Sequence, residues 1–451
     1  MSDNYNYLET KIIDENKKGN FNTLNKKWLI IISIISILII SLIIILIIVL
    51  NKDDKEGNEN KEEQNKDKDK DKDKNDTSYC IEGDEDKCLK CENNKCIICN
   101  PRYTLTNERC IANYSIRAIY ESTADNDKIK VIHNSYKDNI INMEIDEENI
   151  IPCTEYTFKK PGFHTIYYLI NTTNLTKLES LFSEIHSLIS IYFSNEFDTK
   201  NITSINSMFY NCKQLSSIDI SNFNIVNVNS MNYLFYSCSS LNLIKIPKTK
   251  SNNLTTANSI FFHCSVLNSV DISFLKSKKL NSLSDAFYSC NSLKSIDLSI
   301  LDTENVVDMS ELFYGCQSLI SINLTNLNTK NLENMNRMFS ECRSLSSVDV
   351  SSFNTENVKI MDNLFNGCKA LTSVDLSNFN TQNVTSMNYM FFSCSSLSYV
   401  DISYFTNTSL TRNYIFFNDI PQNGTIKVNK NFIYNIKNFI PDSWDIIYID
   451  N

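Results

Sequence analysis

The chain has 451 residues, of which 43 are basic and 53 acidic, so its formal net charge is −10. Glycine and proline occur only 7 and 6 times, which excludes collagen-like and proline-rich scaffolds. The acidic balance argues against a nucleic-acid-binding protein, which would need a basic face. The 4 histidines leave little material for histidine-based catalysis. The hydrophobic content of 42% can fill a core, and the length allows two to four domains.

An apolar run at residues 28–50 predicts a transmembrane helix. It contains Trp, Leu, Ile, Val and three Ser, without a charge, glycine or proline. At ~1.5 Å per residue such a helix spans about 35 Å, slightly more than a bilayer core. A secretory signal peptide is the alternative, but its apolar region is usually about 7–15 residues long and ends at small residues. The longer run favours an uncleaved anchor.

Lysines beside this run indicate its orientation. Lys26 and Lys27 favour a cytoplasmic tail at residues 1–27, which predicts a single-pass protein of the plasma membrane with its C-terminal domains outside. Residues 51–77, rich in alternating Lys and Asp, contain nothing to bury and predict a disordered spacer.

Six cysteines in residues 78–112 predict a disulfide-rich module. They are Cys80, Cys88, Cys91, Cys96, Cys99 and Cys110. Two CxxC pairs also suggest zinc, but a zinc ribbon separates its pairs by about 15–20 residues. An even set in so small an extracellular segment favours disulfides over zinc or redox chemistry, and the pairing stays open. The ending at residues 100–110 resembles that of EGF-like and furin-like modules, although a glycine is missing.

Short alternating segments in residues 113–172 predict five or six strands of a small β-sandwich, among them 116–120, 129–132, 141–145, 157–158 and 163–169. Their spacing suggests an immunoglobulin-like domain, although the paired cysteines and the buried Trp of that fold are missing. Cys153 stands alone here, and it is either buried and inert, which is favoured, or an unpaired thiol.

An internal repeat dominates the rest of the chain. Eight cysteines recur every 26 residues, each with Phe three residues before it and Leu three residues after it. They are Cys212, Cys238, Cys264, Cys290, Cys316, Cys342, Cys368 and Cys394. Apolar residues alternate in one part of each unit, as in a strand, and recur at three- and four-residue steps in another, as in a helical turn. The sequence therefore predicts an α/β solenoid, leucine-rich-repeat-like, over residues 173–411 and a C-terminal cap at 412–451.

Two sets of residues that recur at equivalent positions of the repeat, here called columns, have thiol or carboxylate side chains. Because the cysteines recur at an inward position, we expect a ladder of buried free thiols, with disulfides between coils as the less favoured alternative. An acidic row either accepts backbone N–H groups at the strand ends or forms a cation-binding or ligand-facing stripe. Its members are Asp219, Asp271, Asp297, Asp349, Asp375 and Asp401.

Asn-x-Ser/Thr sequences permit N-glycosylation of an extracellular chain. The candidate sites are Asn113, Asn171, Asn201, Asn253, Asn323 and Asn383. In a chain this rich in Asn, Ser and Thr such sequences also arise by chance.

The repeat unit reads C-x-S-L-x-x-[IV]-D-[IL]-S-x-F-N-T-x-N-V-x-x-M-x-x-[ML]-F-x-x-C. This unit resembles the 26-residue surface-protein repeat of the BspA-like leucine-rich repeat proteins. The resemblance covers roughly residues 181–411. It implies a leucine-rich-repeat-type solenoid displayed on a cell surface, adhesion to host or matrix proteins or another cell-contact role, and no catalytic residues. We expect the partners to be protein or glycan ligands on other cells or on a matrix.

The sequence lacks the common nucleophile, phosphate-binding and zinc-protease motifs, so we do not expect an enzyme. We expect a surface-anchored adhesin or binding platform that needs no cofactor and binds no nucleic acid. The alternative is a self-associating coat or cell–cell contact protein.

Overall fold

A computed structural model describes residues 88–92, 95–99, 103–106, 109–112, 114–406 and 416–450. Ser78–Asn451 forms one compact unit. Within the described ranges no helix is both long and apolar enough to cross a membrane. The predicted transmembrane segment 28–50 and the spacer 51–77 lie outside these ranges.

The cysteine-rich segment contains two antiparallel hairpins. Their strands are β1 (Cys88–Glu92), β2 (Lys95–Cys99), β3 (Tyr103–Thr106) and β4 (Arg109–Ala112). The backbone register places Cys88 opposite Cys99 and Cys91 opposite Cys96. Disulfide formation stays a prediction, and Cys80 lies outside the described residues.

Six strands follow in residues 114–170. They are β5 (Ile116–Ser122), β6 (Asp127–Lys130), β7 (Ile140–Ile145), β8 (Glu148–Ile150), β9 (Glu155–Phe158) and β10 (Gly162–Ile170), with a 3-10 helix at Asn134–Asn139. Strand β5 pairs with β10 on one side and with β11 (Leu188–Phe193), the first solenoid strand, on the other. The predicted immunoglobulin-like sandwich is therefore wrong, because this stretch shares a seven-stranded sheet and one core with the solenoid.

The solenoid runs from β11 to the last described strand, and its strands stack in parallel in consecutive coils, except at residues 268–271 and 346–349, where the described backbone forms no strand. The further strands are β12 (Ser217–Asp219), β13 (Leu243–Lys245), β14 (Ser295–Asp297), β15 (Ser321–Asn323), β16 (Ser373–Asp375), β17 (Phe391–Phe392), β18 (Tyr399–Ile402), β19 (Phe417–Asn418), β20 (Thr425–Asn429) and β21 (Asp445–Ile449). The described helices here are 3-10 helices at Ser273–Leu275 and Lys437–Phe439 and α1 (Ile433–Ile436).

In the described residues of the repeats the predicted helix is absent, so the α/β assignment is wrong and the fold is a β-solenoid of about nine turns. The segment before each cysteine consists of overlapping turns. In the coil of Cys212, the N–H of Met208 donates to Ile205 O in the same coil, whereas the N–H of Phe209 donates to Leu234 O in the next coil. Alternate amides thus bind within a coil and between coils, which a helix cannot do.

Left-handed backbone residues explain this difference. In each cysteine-containing coil the residues one and five positions before the cysteine have positive φ, such as Ser207 at 54° and Asn211 at 60°. A residue with positive φ every fourth position interrupts a right-handed helix. Two of these positions are glycines, and at Gly367 a Cβ would overlap the Glu341 carboxylate. Serial turns give the same three- and four-residue apolar spacing as a helix, which made the sequence pattern ambiguous.

A stack of ten buried phenylalanine rings runs through the core, with centroids 5.4–6.1 Å apart. The rings belong to Phe182, Phe209, Phe235, Phe261, Phe287, Phe313, Phe339, Phe365, Phe391 and Phe417. At the C-terminal end, Trp444 covers Gly424, and its indole Nε1 donates to Pro421 O at 2.8 Å. The stack holds consecutive coils in register by apolar burial and ring contact.

The Phe313→Ala variant tests this stack. Phe313 is fully buried between two rings, so its truncation should lower the free energy of unfolding by about 3–5 kcal/mol. Urea unfolding followed by circular dichroism measures the loss. Ile320→Ala in the same repeat is the control, because Ile320 is 58% exposed and its truncation should change stability by less than about 0.5 kcal/mol. Equal losses in the two variants would contradict the stack's role.

Candidate functional site

One side of the solenoid, here called the strand face, consists of the outward residues of the stacked strands. In β14, Ser295 and Asp297 are exposed while Ile296 between them is buried. The acidic row predicted from the sequence lies along this face, with its members exposed except for the half-buried Asp219 and the buried Asp401. Lys245 and Asn323 occupy the acidic column in the other two coils.

Each aspartate of the row accepts a backbone hydrogen bond where its strand ends. The Oδ1 atom accepts the N–H of the residue two positions later at 2.8–3.0 Å in all six cases. Asn323 Oδ1 accepts the N–H of Thr325 at 3.1 Å in the same way. One carboxylate oxygen of each Asp therefore caps a bend of the backbone.

The charges of the row are compensated only near its ends. Lys245 contacts Asp219 at 3.0 Å, and Lys427 contacts Asp401 at 2.9 Å. Burial raises the pKa of Asp219, but hydrogen bonds from Ser221 and Lys245 outweigh it, so the net pKa lies below the ordinary value. The pKa of Asp349 is lowered by hydrogen bonds from Ser351.

Four aspartates between these ends form no ion pair with any residue in the described ranges. They are Asp271, Asp297, Asp349 and Asp375, and all four are exposed. The central part of the strand face is therefore an uncompensated anionic surface.

An open depression of 940 Å³ lies on this anionic part. Its lining includes the apolar residues Leu243, Val270 and Ile322 and the acidic residues Asp271 and Asp297. The sheet is interrupted here, since β13 pairs with β12 and β14 with β15, while residues 268–271 between them form no strand. The depression joins exposed apolar area, with Leu243 56% exposed, to unpaired carboxylates.

The cysteine column lies inside the solenoid. All eight thiols are buried and free, and each Sγ donates to the carbonyl of a phenylalanine in the preceding coil at 3.0–3.2 Å. Burial raises the pKa of Cys212 and of Cys394 to about 12. Cys153 is half-buried, and its Sγ lies 4.0 Å from Met143 Sδ.

The candidate glycosylation sites differ in their surroundings. Asn171, Asn201, Asn323 and Asn383 are exposed, Asn253 is partly buried, and Asn113 lies outside the described residues. The Asn383 amide donates to Glu356 O at 2.8 Å, so glycosylation there would remove a bond between coils.

The sequence analysis missed a surface stack of aromatic rings. Five half-buried rings lie two positions before the cysteine in successive coils, with centroids 4.3–4.7 Å apart. They are Tyr210, Tyr236, Phe262, Tyr288 and Tyr314. Ser340 and Asn366 occupy the same position in later coils, so the coil does not require an aromatic residue there. Comparing this column across the repeats would have revealed it.

The sequence analysis also assigned no partner to His164, which the structure places between Ser122 and Asp146. Its Nε2 lies 2.9 Å from Ser122 Oγ and its Nδ1 lies 2.6 Å from Asp146 Oδ2. These are the residue types of a hydrolase triad, but Ser122 is 2% exposed and its hydroxyl donates to Lys160 O at 2.9 Å. A buried hydroxyl whose proton is engaged by a carbonyl is no accessible nucleophile. The cluster therefore ties β5 to the turns around it.

The described part of the chain thus defines a β-solenoid of 26-residue repeats with a phenylalanine and thiol core and an anionic strand face. The chain belongs to the DUF285 family, described as "Mycoplasma protein of unknown function", which matches residues 158–273 and 281–405, just over half of the chain. Among solved structures, a leucine-rich cell surface protein from Faecalibacterium prausnitzii is similar at 16% identity and a TM-score of 0.24, covering 63% of this chain and 84% of that one. No curated protein matches the chain.

The thiol column makes a prediction about reactivity and pH. The eight buried thiols should resist iodoacetamide at pH 8 in the native chain and react after denaturation, because the thiolate is the reactive form. An unfolded thiol has a pKa of about 8.5, whereas burial raises the pKa of Cys212 and of Cys394 to about 12.

Stability should therefore be unaffected by these groups at neutral pH and fall as the pH rises from about 8.5 towards 12. Mass spectrometry of alkylated peptides and urea unfolding across this pH range measure the two effects. The half-buried Cys153 serves as an internal control, since it is the most accessible thiol of residues 114–406. Rapid native labelling of Cys290 would contradict the buried ladder.

Proposed function

We propose that the protein is a membrane-anchored cell-surface protein that acts as an adhesin or binding platform through its repeat solenoid. In this proposal residues 28–50 anchor the chain, residues 51–77 act as a spacer, and the solenoid is outside the cell. The resemblance of the repeat to BspA-like surface proteins supports this arrangement.

The observation that best supports the proposal is the difference in sequence variation between the inward and the outward positions of the repeats. The inward Phe, Cys and Leu columns are identical in eight coils, whereas an outward column such as the one four residues after the cysteine varies freely. That column contains Ser216, Asn242, Asn268, Lys294, Ile320, Ser346, Thr372 and Ser398. A constant scaffold with a varied outer surface is typical of repeat proteins that bind macromolecules.

The proposal includes no catalysis and no cofactor. Ser122, His164 and Asp146, a group with catalytic residue types in the described part of the chain, has a buried serine. Expected partners are proteins or glycans of other cells or of a matrix, and many copies on one membrane would add avidity.

Self-association is the second candidate, and the C-terminal edge of the solenoid favours it. In the described part of the chain β21 pairs only with β20, and its Ile447 and Tyr448 are 46% and 51% exposed. An edge strand with free backbone groups and apolar side chains can pair with another chain. Solenoids joined at this edge would form a structural coat.

Surface display is tested on intact, unpermeabilised cells with trypsin and an antibody against residues 416–450. Trypsin cleaves after lysine, and the spacer 51–77 contains many, so we expect the solenoid to be released into the medium. A cytosolic marker protein should stay intact. Protection of the solenoid until the membrane is opened would refute the proposed location and, with it, adhesion.

Sedimentation velocity of the full-length chain in detergent distinguishes the two candidates. The adhesin proposal expects a sedimentation coefficient that does not change with protein concentration. The coat alternative expects larger species at higher concentration, and Ile447→Lys should remove them because it places a charge on the edge strand. Val226→Lys is the matched control, since Val226 is also exposed but lies outside β21.

A further inference from the structure

A second cavity, here called the β5–β6 cavity, lies where strands β5 and β6 meet the first coils of the solenoid. Its volume is 400 Å³, within the range of about 300–1,000 Å³ that small-molecule sites occupy. Hydrogen bonds join its walls, since the N–H of Glu121 donates to Ser187 O at 2.9 Å and Lys130 Nζ donates to Ser183 O at 2.7 Å. The walls of the cavity are therefore fixed relative to each other.

Two oxygen atoms of the lining lack a hydrogen-bond partner in the described part of the chain. They are the Ser187 hydroxyl oxygen and the side-chain oxygen of Gln214, and both atoms are buried although each residue as a whole is only partly buried. A buried polar atom without a partner destabilises the fold, so proteins contain few of them. Because both residues line the cavity, a rotation of each side chain turns its oxygen towards a bound group. The two atoms indicate a ligand that forms hydrogen bonds.

The charged residues of the lining favour a ligand that donates hydrogen bonds. Lys128 pairs with Glu155 at 2.5 Å, and Lys130 is engaged with the carbonyl given above. Glu121 and Glu184 also line the cavity, and neither forms an ion pair with any described residue. Their carboxylate oxygens can only accept hydrogen bonds when ionised, and they repel an anionic ligand such as phosphate.

A hydroxyl group suits this lining better than an amine does. A hydroxyl both donates and accepts, so it can donate to Gln214 Oε1 and can accept the proton of Ser187 Oγ. A primary ammonium group donates only, so it leaves the Ser187 proton without an acceptor, and its small head occupies little of the 400 Å³. A sugar ring carries several hydroxyls at fixed spacing and serves all of these acceptors at once.

We propose that the β5–β6 cavity binds a neutral hexose residue of a glycan. Its hydroxyls donate to Gln214 Oε1 and exchange hydrogen bonds with Ser187 Oγ, while Glu121 and Glu184 accept further hydroxyls at the cavity wall. This inference rests on the proposed function, since it names the class of ligand that the binding platform takes and the place where it is held.

The test is saturation-transfer difference NMR on the full-length chain in a polyoxyethylene detergent, which has no sugar head group to compete. The probes are the methyl glycosides of glucose, galactose and mannose, with butylamine as the alternative ligand. We expect at least one glycoside to receive saturation from the protein, and its titration gives the dissociation constant. Saturation of none of the three glycosides, or of butylamine alone, would overturn the proposal.

Three variants place the sugar in the cavity. Gln214→Met and Ser187→Ala should each raise the dissociation constant by about five- to tenfold, because each removes a hydrogen bond to the ligand. Neither should lower the melting temperature of the free chain, since the oxygen that is lost has no protein partner. Glu184 is exposed, so Glu184→Gln leaves the fold intact and should weaken binding by about threefold through the loss of a charged acceptor.

Asn291→Leu is the matched control. Asn291 Oδ1 is likewise buried without a partner among the described residues, but Asn291 does not line the β5–β6 cavity. Its substitution should change the dissociation constant by less than about twofold. Unchanged binding in both Gln214→Met and Ser187→Ala would overturn the proposal, because the sugar would then be held elsewhere. Surface display is measured separately on cells, so failure of sugar binding and failure of the proposed location are distinguishable.

Discussion

The 26-residue period is the constraint on which the rest of the structure depends. Each coil donates amide hydrogen bonds to the coil beside it, and these bonds form only when equivalent residues lie next to one another. Every side chain therefore has a copy of its own column as its neighbour about 4.8 Å away. Residues that pack well against themselves, such as phenylalanine in the core, satisfy this condition in every coil.

The same condition explains the thiols. A cysteine side chain is small, apolar and able to donate one weak hydrogen bond, so it fills the space beside the phenylalanine stack and contacts a carbonyl of the preceding coil. A serine there would have a stronger need for hydrogen bonds, and a valine would have no donor for the carbonyl. The raised pKa values keep the thiols protonated, so the column adds no charge to the core.

The sequence was sufficient to predict the repeat and its inward columns, because spacing and apolarity alone determine them. It was insufficient for the backbone between Ile205 and Cys212, since serial turns and one helical face both place apolar residues three or four positions apart. The positive φ at Ser207 and Asn211 decides between them. Its signal in the sequence is only a weak preference for Asn, Ser and Gly before each cysteine. Likewise, alternation revealed β5, but its pairing with β11 depends on tertiary contacts that no local pattern specifies.

The position of the strand face could be predicted from the sequence, but the role of its aspartates could not. A row of aspartates beside a strand fits both a cap and a binding stripe, and the structure shows that each Asp has one oxygen engaged in a cap. Some other charged columns show a second way to stabilise a carboxylate. Glu304 and Glu333 each pair with a lysine in the adjacent coil, so opposite charges stabilise the stack there. Asp271 and Asp297 have no ion pair with any described residue, and each carboxylate instead accepts the N–H of the residue two positions later. The acidic row therefore stabilises the backbone bend within each coil, while the ion pairs of other columns stabilise the contact between coils.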